Sequence, residues 1–317
     1  MTLTAFIFPG QGSQQVGMGR ALADAFPEAR ATFEEADAAF LDSDRPSASL
    51  STLCFDGPAD RLALTEITQP AILSSSIAAC RVLESRGARP AFVAGHSLGE
   101  YSAHVAAGTF AFADAVRVVR RRGRYMQEAV PVGEGAMAAV VGLTLDVVTQ
   151  ACEESADGQV VSPANINSDK QIVIAGHAAA VRRASDRAKA LGARLVVPLV
   201  VSAPFHCALM KPAEIRLAPE LRGLTACNPR VPVIANVDAS PRTDAAGSVD
   251  ALVRQVSSPV QWDAVVRRLA SEGVTTYVEV GPGTVLGGLV KKIHPGARIT
   301  SFASPDQLDA VMAACSI

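Results

Sequence analysis

Short apolar runs alternate with stretches of helical spacing along most of the chain. Residues 98–107 and 111–130 have apolar positions at helical spacing, and Gly108 between them is typical of a helix end. Strands that alternate with helices favour a largely parallel sheet with helices on both faces. The apolar runs predict three buried strands, at Leu3–Phe8, Ala91–Ala94 and Thr276–Val280.

The segment between residues 130 and 202 has a different order of elements. Strand and helix patterns follow one another there as βαββαβ, which is the order of a ferredoxin-like unit. We therefore expect an α/β fold in which a larger domain, formed by 1–129 and 203–317, is interrupted by a ferredoxin-like domain at 130–202. The predicted elements of this unit are 136–143, 146–154, 160–166, 171–175, 178–191 and 193–201. Polar stretches at 42–49 and 238–247 predict surface loops.

Composition narrows the classes of function. Apolar residues make up 49% of the chain and the net charge is −2, so a folded core is expected and a dedicated nucleic-acid binder is not. The longest apolar runs are too short for a membrane span, and the start of the chain has no basic signal-peptide region, so we expect a cytoplasmic protein. Because the six cysteines form no C-x-x-C pair and the five histidines no close ligand pair, we expect reduced thiols and no metal.

The sharpest local motif is GHSLG at residues 95–99, which matches G-x-S-x-G between a predicted strand and a predicted helix. Its glycines permit a tight turn that exposes the Ser97 hydroxyl at a helix N-terminus, where negative charge is favoured. The Leu98 amide would then face a developing oxyanion. An ordinary glycine turn with an N-capping serine is the alternative, but the strand–turn–helix context favours a nucleophile.

A serine nucleophile needs a base to take its proton. His96 adjoins Ser97, but neighbouring side chains on such a turn diverge, so His206 is the better candidate. It lies just after the last predicted strand of the 130–202 segment. Cys207 is a weak rival nucleophile, because no helix terminus or second base is visible for it.

Arg122 lies at the edge of the apolar face of the predicted helix 111–130. A guanidinium there needs a partner, because an unpaired buried charge is costly. The partner is either a structural Asp or Glu or a substrate carboxylate held by both guanidinium nitrogens. Four further arginines are expected to project away from the apolar face, as a solvated surface or a docking surface for an acidic partner: Arg117, Arg120, Arg121 and Arg124.

The glycine turn at 10–12 lacks the third glycine of a dinucleotide fingerprint. A backbone that approaches the site closely explains this turn better. The amide of Gln11 would then be a second oxyanion donor.

Taken together, these segments resemble the malonyl-CoA:acyl carrier protein transacylases over nearly the whole chain. The order and spacing of the motifs make the resemblance specific. The matching segments are FPGQGSQ (8–14), GHSLGEYS (95–102), RGRYMQE (122–128), GAMA (135–138), NIN (165–167), FHCALMK (205–211), PVQW (259–262) and VGPG (280–283).

The resemblance implies an α/β-hydrolase-like larger domain, with Ser97 as the acylated nucleophile and His206 as its base. It also implies an oxyanion hole of the Gln11 and Leu98 amides and an Arg122 clamp on the malonyl carboxylate. Asn165 and the region of Gln255 would line the site, and a backbone carbonyl near Gln255 would orient the histidine. The combination of Leu98 after the serine and Phe205 before the histidine is similar to the malonyl-selective type of related polyketide acyltransferases, in which a bulky ring crowds an α-methyl branch. Many relatives of the fatty-acid type have a smaller residue before the histidine, so the alternative is that Phe205 is a neutral variant.

The implied reaction moves malonyl from CoA to the phosphopantetheine thiol of an acyl carrier protein, in fatty acid biosynthesis and without metal or prosthetic group. We expect a monomer, because the enzyme must reach a mobile carrier. A stand-alone acyltransferase of a polyketide synthase would have the same site. A serine thioesterase or hydrolase is the rival enzyme class, and a binding-only scaffold is the rival outside enzymes.

Overall fold

A computed structural model describes residues 3–41 and 48–315 of the chain. The strands in these residues are β1 (Leu3–Phe8), β2 (Phe92–Gly95), β3 (Gly135–Val141), β4 (Val161–Ser168), β5 (Gln171–His177), β6 (Leu195–Pro198), β7 (Val233–Ile234), β8 (Pro241–Arg242), β9 (Val274–Val280) and β10 (Arg298–Phe302). The α-helices in the same residues are α1 (Arg20–Ala25), α2 (Pro27–Leu41), α3 (Leu50–Phe55), α4 (Ala59–Leu62), α5 (Thr65–Ser85), α6 (Leu98–Ala106), α7 (Phe112–Glu128), α8 (Leu145–Ser155), α9 (Ala178–Ala190), α10 (Lys211–Gly223), α11 (Ala245–Gln255), α12 (Trp262–Ser271), α13 (Val285–Ile293) and α14 (Leu308–Cys315). Short 3₁₀ helices occupy Ala208–Met210 and Pro305–Gln307.

The larger sheet has the strand order β10-β9-β1-β2-β7-β8. All neighbours in it are parallel except β7 and β8. Along β1, Phe6 and Phe8 pack into the apolar core on one face, while Ala5 and Ile7 pack into the core on the other. This double burial explains why β1 is a continuous apolar run and not an alternating one.

The second sheet is antiparallel, with the strand order β4-β5-β3-β6. One face packs against α8 and α9 through Val140, Ile174 and other apolar residues. The opposite face, which includes Met137 and Val173, joins the main core of the larger sheet. The protein is therefore a mixed α/β structure with a largely parallel sheet and a separate antiparallel sheet.

Most predicted elements are confirmed, but the predicted strand 193–201 is too long. Its observed part, β6, ends at Pro198, and residues 199–201 instead line the cavity described below. Proline has no N–H for the ladder, so it is a natural end for the strand.

The predicted loop at 238–247 is wrong in part, because β8 and the start of α11 lie within it. The side chain of Asp244 accepts a hydrogen bond from the Gly247 amide, so these polar residues begin a helix. Of the predicted loop at 42–49, residues 42–47 lie outside the described residues.

The expected outward arginine face of α7 is wrong at Arg120. This side chain is buried, donates to the Phe40 carbonyl oxygen and lies over the Phe40 ring. The helix α2 covers that side of α7, so the position does not face solvent. The other three arginines are partly exposed and form the pairs Arg117–Asp114, Arg121–Glu220 and Arg124–Glu66.

Candidate active site

The turn that carries Ser97 connects β2 directly to α6. Ser97 has φ 51° and ψ −107°, a strained conformation for a residue with a side chain. A Cβ atom on Gly95 would lie 1.9 Å from the Gly99 carbonyl carbon, and one on Gly99 would lie 2.0 Å from the Phe8 carbonyl oxygen. Both glycines of the motif are therefore required by close backbone approach.

His206 faces Ser97 across the site. Its Nε2 lies 2.6 Å from Ser97 Oγ, and its Nδ1 lies 3.0 Å from the carbonyl oxygen of Gln255. A carbonyl oxygen can only accept, so Nδ1 carries the proton and Nε2 is free to accept the serine proton. The structure thus brings together a hydroxyl, a base and a group that orients the base.

His206 is held in its neutral form. Burial, together with the positive charge of Arg122, lowers its pKa to about 3. The imidazole is therefore neutral at neutral pH, and its Nε2 lone pair is directed at Ser97 Oγ.

Arg122 extends from α7 to the nucleophile and is only 1% exposed. Its Nη2 lies 3.2 Å from Ser97 Oγ and 2.9 Å from Gln255 Oε1, and its Nη1 lies 2.9 Å from Gln69 Oε1. These hydrogen bonds all go to neutral oxygens, so no Asp or Glu among the described residues is bonded to Arg122. Of the two alternatives, a directly bonded structural acid is therefore not found among the described residues. The carboxyl group of Glu100 acts on Arg122 through charge without a hydrogen bond, and the guanidinium is available to a substrate carboxylate beside the hydroxyl.

A cavity of about 370 Å³ opens in front of these groups. It is lined by Ser97, Arg122 and His206 and also by the other predicted site residues Gln11, Leu98, Asn165 and Phe205. Gln255 lies behind this lining, fully buried, and contacts the site through its hydrogen bonds. The volume suits a small acyl group and the end of the arm that carries it.

Two neighbours of Ser97 and His206 have other hydrogen-bond partners. His96 also lines the cavity, but its Nε2 lies 2.8 Å from Asn167 Oδ1. Cys207 is buried with Sγ 3.1 Å from the Pro204 carbonyl oxygen, and burial raises the pKa of its thiol to about 11. A thiol with this pKa is a poor nucleophile at neutral pH, which disfavours the rival nucleophile.

Sequence reasoning missed three polar residues of the site. Gln69 comes from α5, where no motif marks it, and Asn236 accepts from the Ser97 amide at 2.7 Å. Glu100 is fully buried, and burial raises its pKa to about 7. Only Glu100 had a signal in the sequence, since it directly follows the G-x-S-x-G motif in the first turn of α6.

Residues 3–41 and 48–315 contain neither a metal-binding cluster nor a membrane-spanning helix. No group of three or more His, Cys, Asp or Glu side chains there is placed to hold a metal ion. None of the helices in these ranges has the length and apolar character needed to cross a membrane.

The chain is similar to known proteins over nearly its whole length. A family model described as acyl transferase domain matches residues 5–302. The chain is 51% identical over 313 residues to the malonyl CoA-acyl carrier protein transacylase of Salmonella typhimurium, covering 98% of this chain and 99% of the relative.

Solved structures give the same result. The malonyl CoA-acyl carrier protein transacylase of Coxiella burnetii superposes with a TM-score of 0.95 at 41% identity, covering 100% of this chain and 98% of that one. A malonyl-transacylase in complex with its type II PKS acyl-carrier protein superposes with a TM-score of 0.94 at 44% identity, covering 98% and 99%.

Proposed function

The chain belongs to the acyl transferase family, among relatives named malonyl CoA-acyl carrier protein transacylases, and we propose that it moves malonyl from CoA to the thiol of an acyl carrier protein in fatty acid biosynthesis. The observation that carries this proposal is the position of Ser97 Oγ, 2.6 Å from His206 Nε2 and 3.2 Å from Nη2 of the buried Arg122. A nucleophile beside a fixed cation suits an acyl group that itself ends in a carboxylate.

The first half-reaction acylates Ser97. His206 Nε2 takes the hydroxyl proton while Oγ attacks the thioester carbonyl carbon and forms a tetrahedral intermediate. When the intermediate collapses, the carbon–sulfur bond breaks, and the CoA sulfur leaves with the proton from His206. Malonyl-Ser97 and free CoA thiol are the products.

The second half-reaction reverses the roles with a new thiol. The phosphopantetheine thiol of the carrier gives its proton to His206 and attacks the malonyl-Ser97 ester. Collapse breaks the ester bond and returns the proton to Ser97 Oγ. Neither half-reaction calls for a metal or prosthetic group, because His206 accepts the proton of each attacking group and returns it to each leaving group.

The amides of Gln11 and Leu98 are the proposed oxyanion donors. Both residues line the cavity, and Leu98 is the first residue of α6, where backbone amides have no partner within the helix. Gly10 allows the glycine turn at 10–12 to lie close to the turn that carries Ser97, because a Cβ atom on Gly10 would lie 2.4 Å from the His96 carbonyl oxygen.

Arg122, Asn165 and Phe205 are the proposed substrate contacts. The two Nη atoms of Arg122 would bind the malonyl carboxylate through the N–H groups that Gln69 and Gln255 leave free, one of which now points at Ser97 Oγ. Asn165 Oδ1 is buried and has no hydrogen-bond partner in the described structure, so it is available to an amide of the arriving arm. The Phe205 ring limits the space beside the acyl group.

We also propose the finer domain description given by the sequence. The antiparallel order β4-β5-β3-β6 supports a ferredoxin-like domain at 130–202. The strand–Ser97–helix turn of the parallel sheet supports an α/β-hydrolase-like domain from 1–129 and 203–317. The six cysteines are all free, which suits a reducing cytoplasm, and we propose that the enzyme acts there as a monomer.

The proposal is tested by mixing the purified protein with malonyl-CoA and carrier proteins. We expect malonyl-carrier to form, with free malonate released far more slowly. Faster transfer to a polyketide-type carrier would indicate the alternative pathway, which the structural similarity to the type II PKS enzyme favours as second candidate. Release of malonate without transfer would indicate a thioesterase and contradict the proposal.

A further inference from the structure

Glu100 is a fully buried carboxyl group that the mechanism above leaves unused. It lies in the first turn of α6, three residues after the nucleophile, and its own amide donates to the Ser97 carbonyl oxygen at 3.1 Å. A buried carboxyl group is costly unless its contacts compensate, so its partners are informative.

Both partners of Glu100 belong to the site. Its Oε2 accepts from the Gln255 side-chain amide at 2.7 Å and from the Asn236 backbone amide at 3.1 Å. Each of these residues in turn holds the peptide groups of Ser97. The Gln255 amide donates to the Ser97 carbonyl oxygen at 2.9 Å, and the Ser97 amide donates to Asn236 Oδ1 at 2.7 Å.

Gln255 connects Glu100 to both functional groups of the site. Its side-chain Oε1 accepts from Arg122 Nη2 at 2.9 Å, and its backbone carbonyl oxygen accepts from His206 Nδ1 at 3.0 Å. The Gln255 side-chain amide could adopt either of two orientations that exchange its oxygen and nitrogen. Because Glu100 Oε2 accepts a hydrogen bond, it favours the orientation in which the amide nitrogen faces Glu100 and the oxygen faces Arg122. In the opposite orientation two donors, the amide nitrogen and the guanidinium, would meet.

We propose that Glu100 is a positioning residue for acyl transfer, whose Oε2 fixes the Gln255 amide and thereby aims Arg122 at the acyl carboxylate and His206 at Ser97. The assignment of the carboxylate as malonyl rests on the proposed function. Since Oε2 accepts whether or not the carboxyl group is protonated, the role depends on the acceptor oxygen and not on charge.

The test compares Glu100→Ala, Glu100→Asp and Glu100→Gln in transfer of malonyl and of acetyl from CoA to a carrier. Glu100→Ala removes the carboxyl acceptor of the Gln255 amide, which then keeps the Ser97 carbonyl oxygen, and Glu100→Asp retracts the carboxyl group by one methylene. We therefore expect malonyl kcat/KM to fall about 10- to 100-fold in both. Acetyl transfer should fall less, because acetyl has no carboxylate for Arg122. Glu100→Gln keeps an acceptor oxygen and should stay within about threefold of wild type.

Glu279→Ala is the matched control. Glu279 is also fully buried and accepts two backbone hydrogen bonds, from Leu286 and Gly287, neither of which is a site residue. This variant is expected to lower thermal stability without changing the ratio of malonyl to acetyl transfer. If Glu100→Ala fails to fold, Glu100→Asp provides the same comparison.

Equal losses of malonyl and acetyl transfer, or a loss in Glu100→Gln as large as in Glu100→Asp, would overturn the proposal. Labelling of Ser97 by a fluorophosphonate measures its activation by His206 without any malonyl step. We expect labelling to slow in Glu100→Asp and to stay near the wild-type rate in Glu100→Gln. If wild type labels but does not transfer malonyl, the proposed function fails, and these labelling rates still decide the role of Glu100.

Discussion

The antiparallel sheet and the edge of the parallel sheet that carries Ser97, called the site edge, are built in opposite ways. The antiparallel sheet packs against α8 and α9, and the apolar side chains on both sides of this contact come from one stretch of about 70 residues, such as Val140 and Ile174 on the sheet and Val148 on α8. The site edge instead collects Arg122, His206 and Gln255 from distant segments and buries their polar groups together. The first region is specified by local pattern and packing, whereas the second depends on tertiary hydrogen bonds.

Replacement of His206, the proposed base, should cause the largest difference in transfer rate between variants of the two regions. His206→Ala removes the group that takes the Ser97 proton, so transfer should fall about 10³- to 10⁴-fold. His177, at the end of β5 in the antiparallel sheet, accepts from the Val160 amide, and His177→Ala should leave the rate per folded molecule unchanged. Steady-state kinetics measure both rates. A comparable loss in the two variants would contradict the claim that the chemistry belongs to the site edge and not to the antiparallel sheet.

Arg122→Ala should have the next largest effect, and a selective one. The variant loses the cation that binds the acyl carboxylate, so malonyl transfer should fall about 10²- to 10³-fold, and acetyl transfer should be spared relative to it. Arg117→Ala on the same helix, where the arginine pairs with Asp114 at the surface, is the control with an unchanged ratio. Equal losses for malonyl and acetyl would assign Arg122 a structural role.

A core truncation in the antiparallel sheet should change stability and not chemistry. Ile174 is 1% exposed and faces α8 and α9, so Ile174→Ala should lower the free energy of unfolding by roughly 3 kcal/mol. Leu195 on β6 is 52% exposed, and Leu195→Ala should lower it by less than about 1 kcal/mol. Denaturant titration gives both values. A changed kcat in folded Ile174→Ala would show that the two regions are coupled.

The smallest predicted effect concerns acyl selectivity. Phe205 lines the cavity, so Phe205→Ala should raise methylmalonyl transfer relative to malonyl by about tenfold, since one methyl group is worth about 1–3 kcal/mol. Competition between the two CoA thioesters measures this ratio. An unchanged ratio would show that the ring does not limit the space at the α-carbon.

The same contrast explains what the sequence could predict. The elements of the antiparallel sheet follow from local periodicity, and Ser97 follows from a motif whose glycines are required sterically. The helix α5 has no predicted counterpart, because it is buried on nearly all sides and has no polar face to reveal its period. Gln69 on that helix was missed for the same reason, and its contact with Arg122 exists only in the folded chain.

Asn236 and Glu100 show a second limit. Each contacts the site through hydrogen bonds that cross more than 100 residues of sequence, such as those from Ser97 to Asn236 and from Gln255 to Glu100. No local pattern encodes such a pair. Arg122 could be flagged as a buried cation, but only the structure shows that its partners are neutral.

The central claim is that Ser97 becomes a malonyl ester. Intact-mass measurement after brief incubation with malonyl-CoA, followed by peptide mapping, tests it directly. The account predicts a gain of one malonyl group on Ser97 in the wild-type protein and none in Ser97→Ala. A malonyl group on Cys207, or its persistence in Ser97→Ala, would contradict the account.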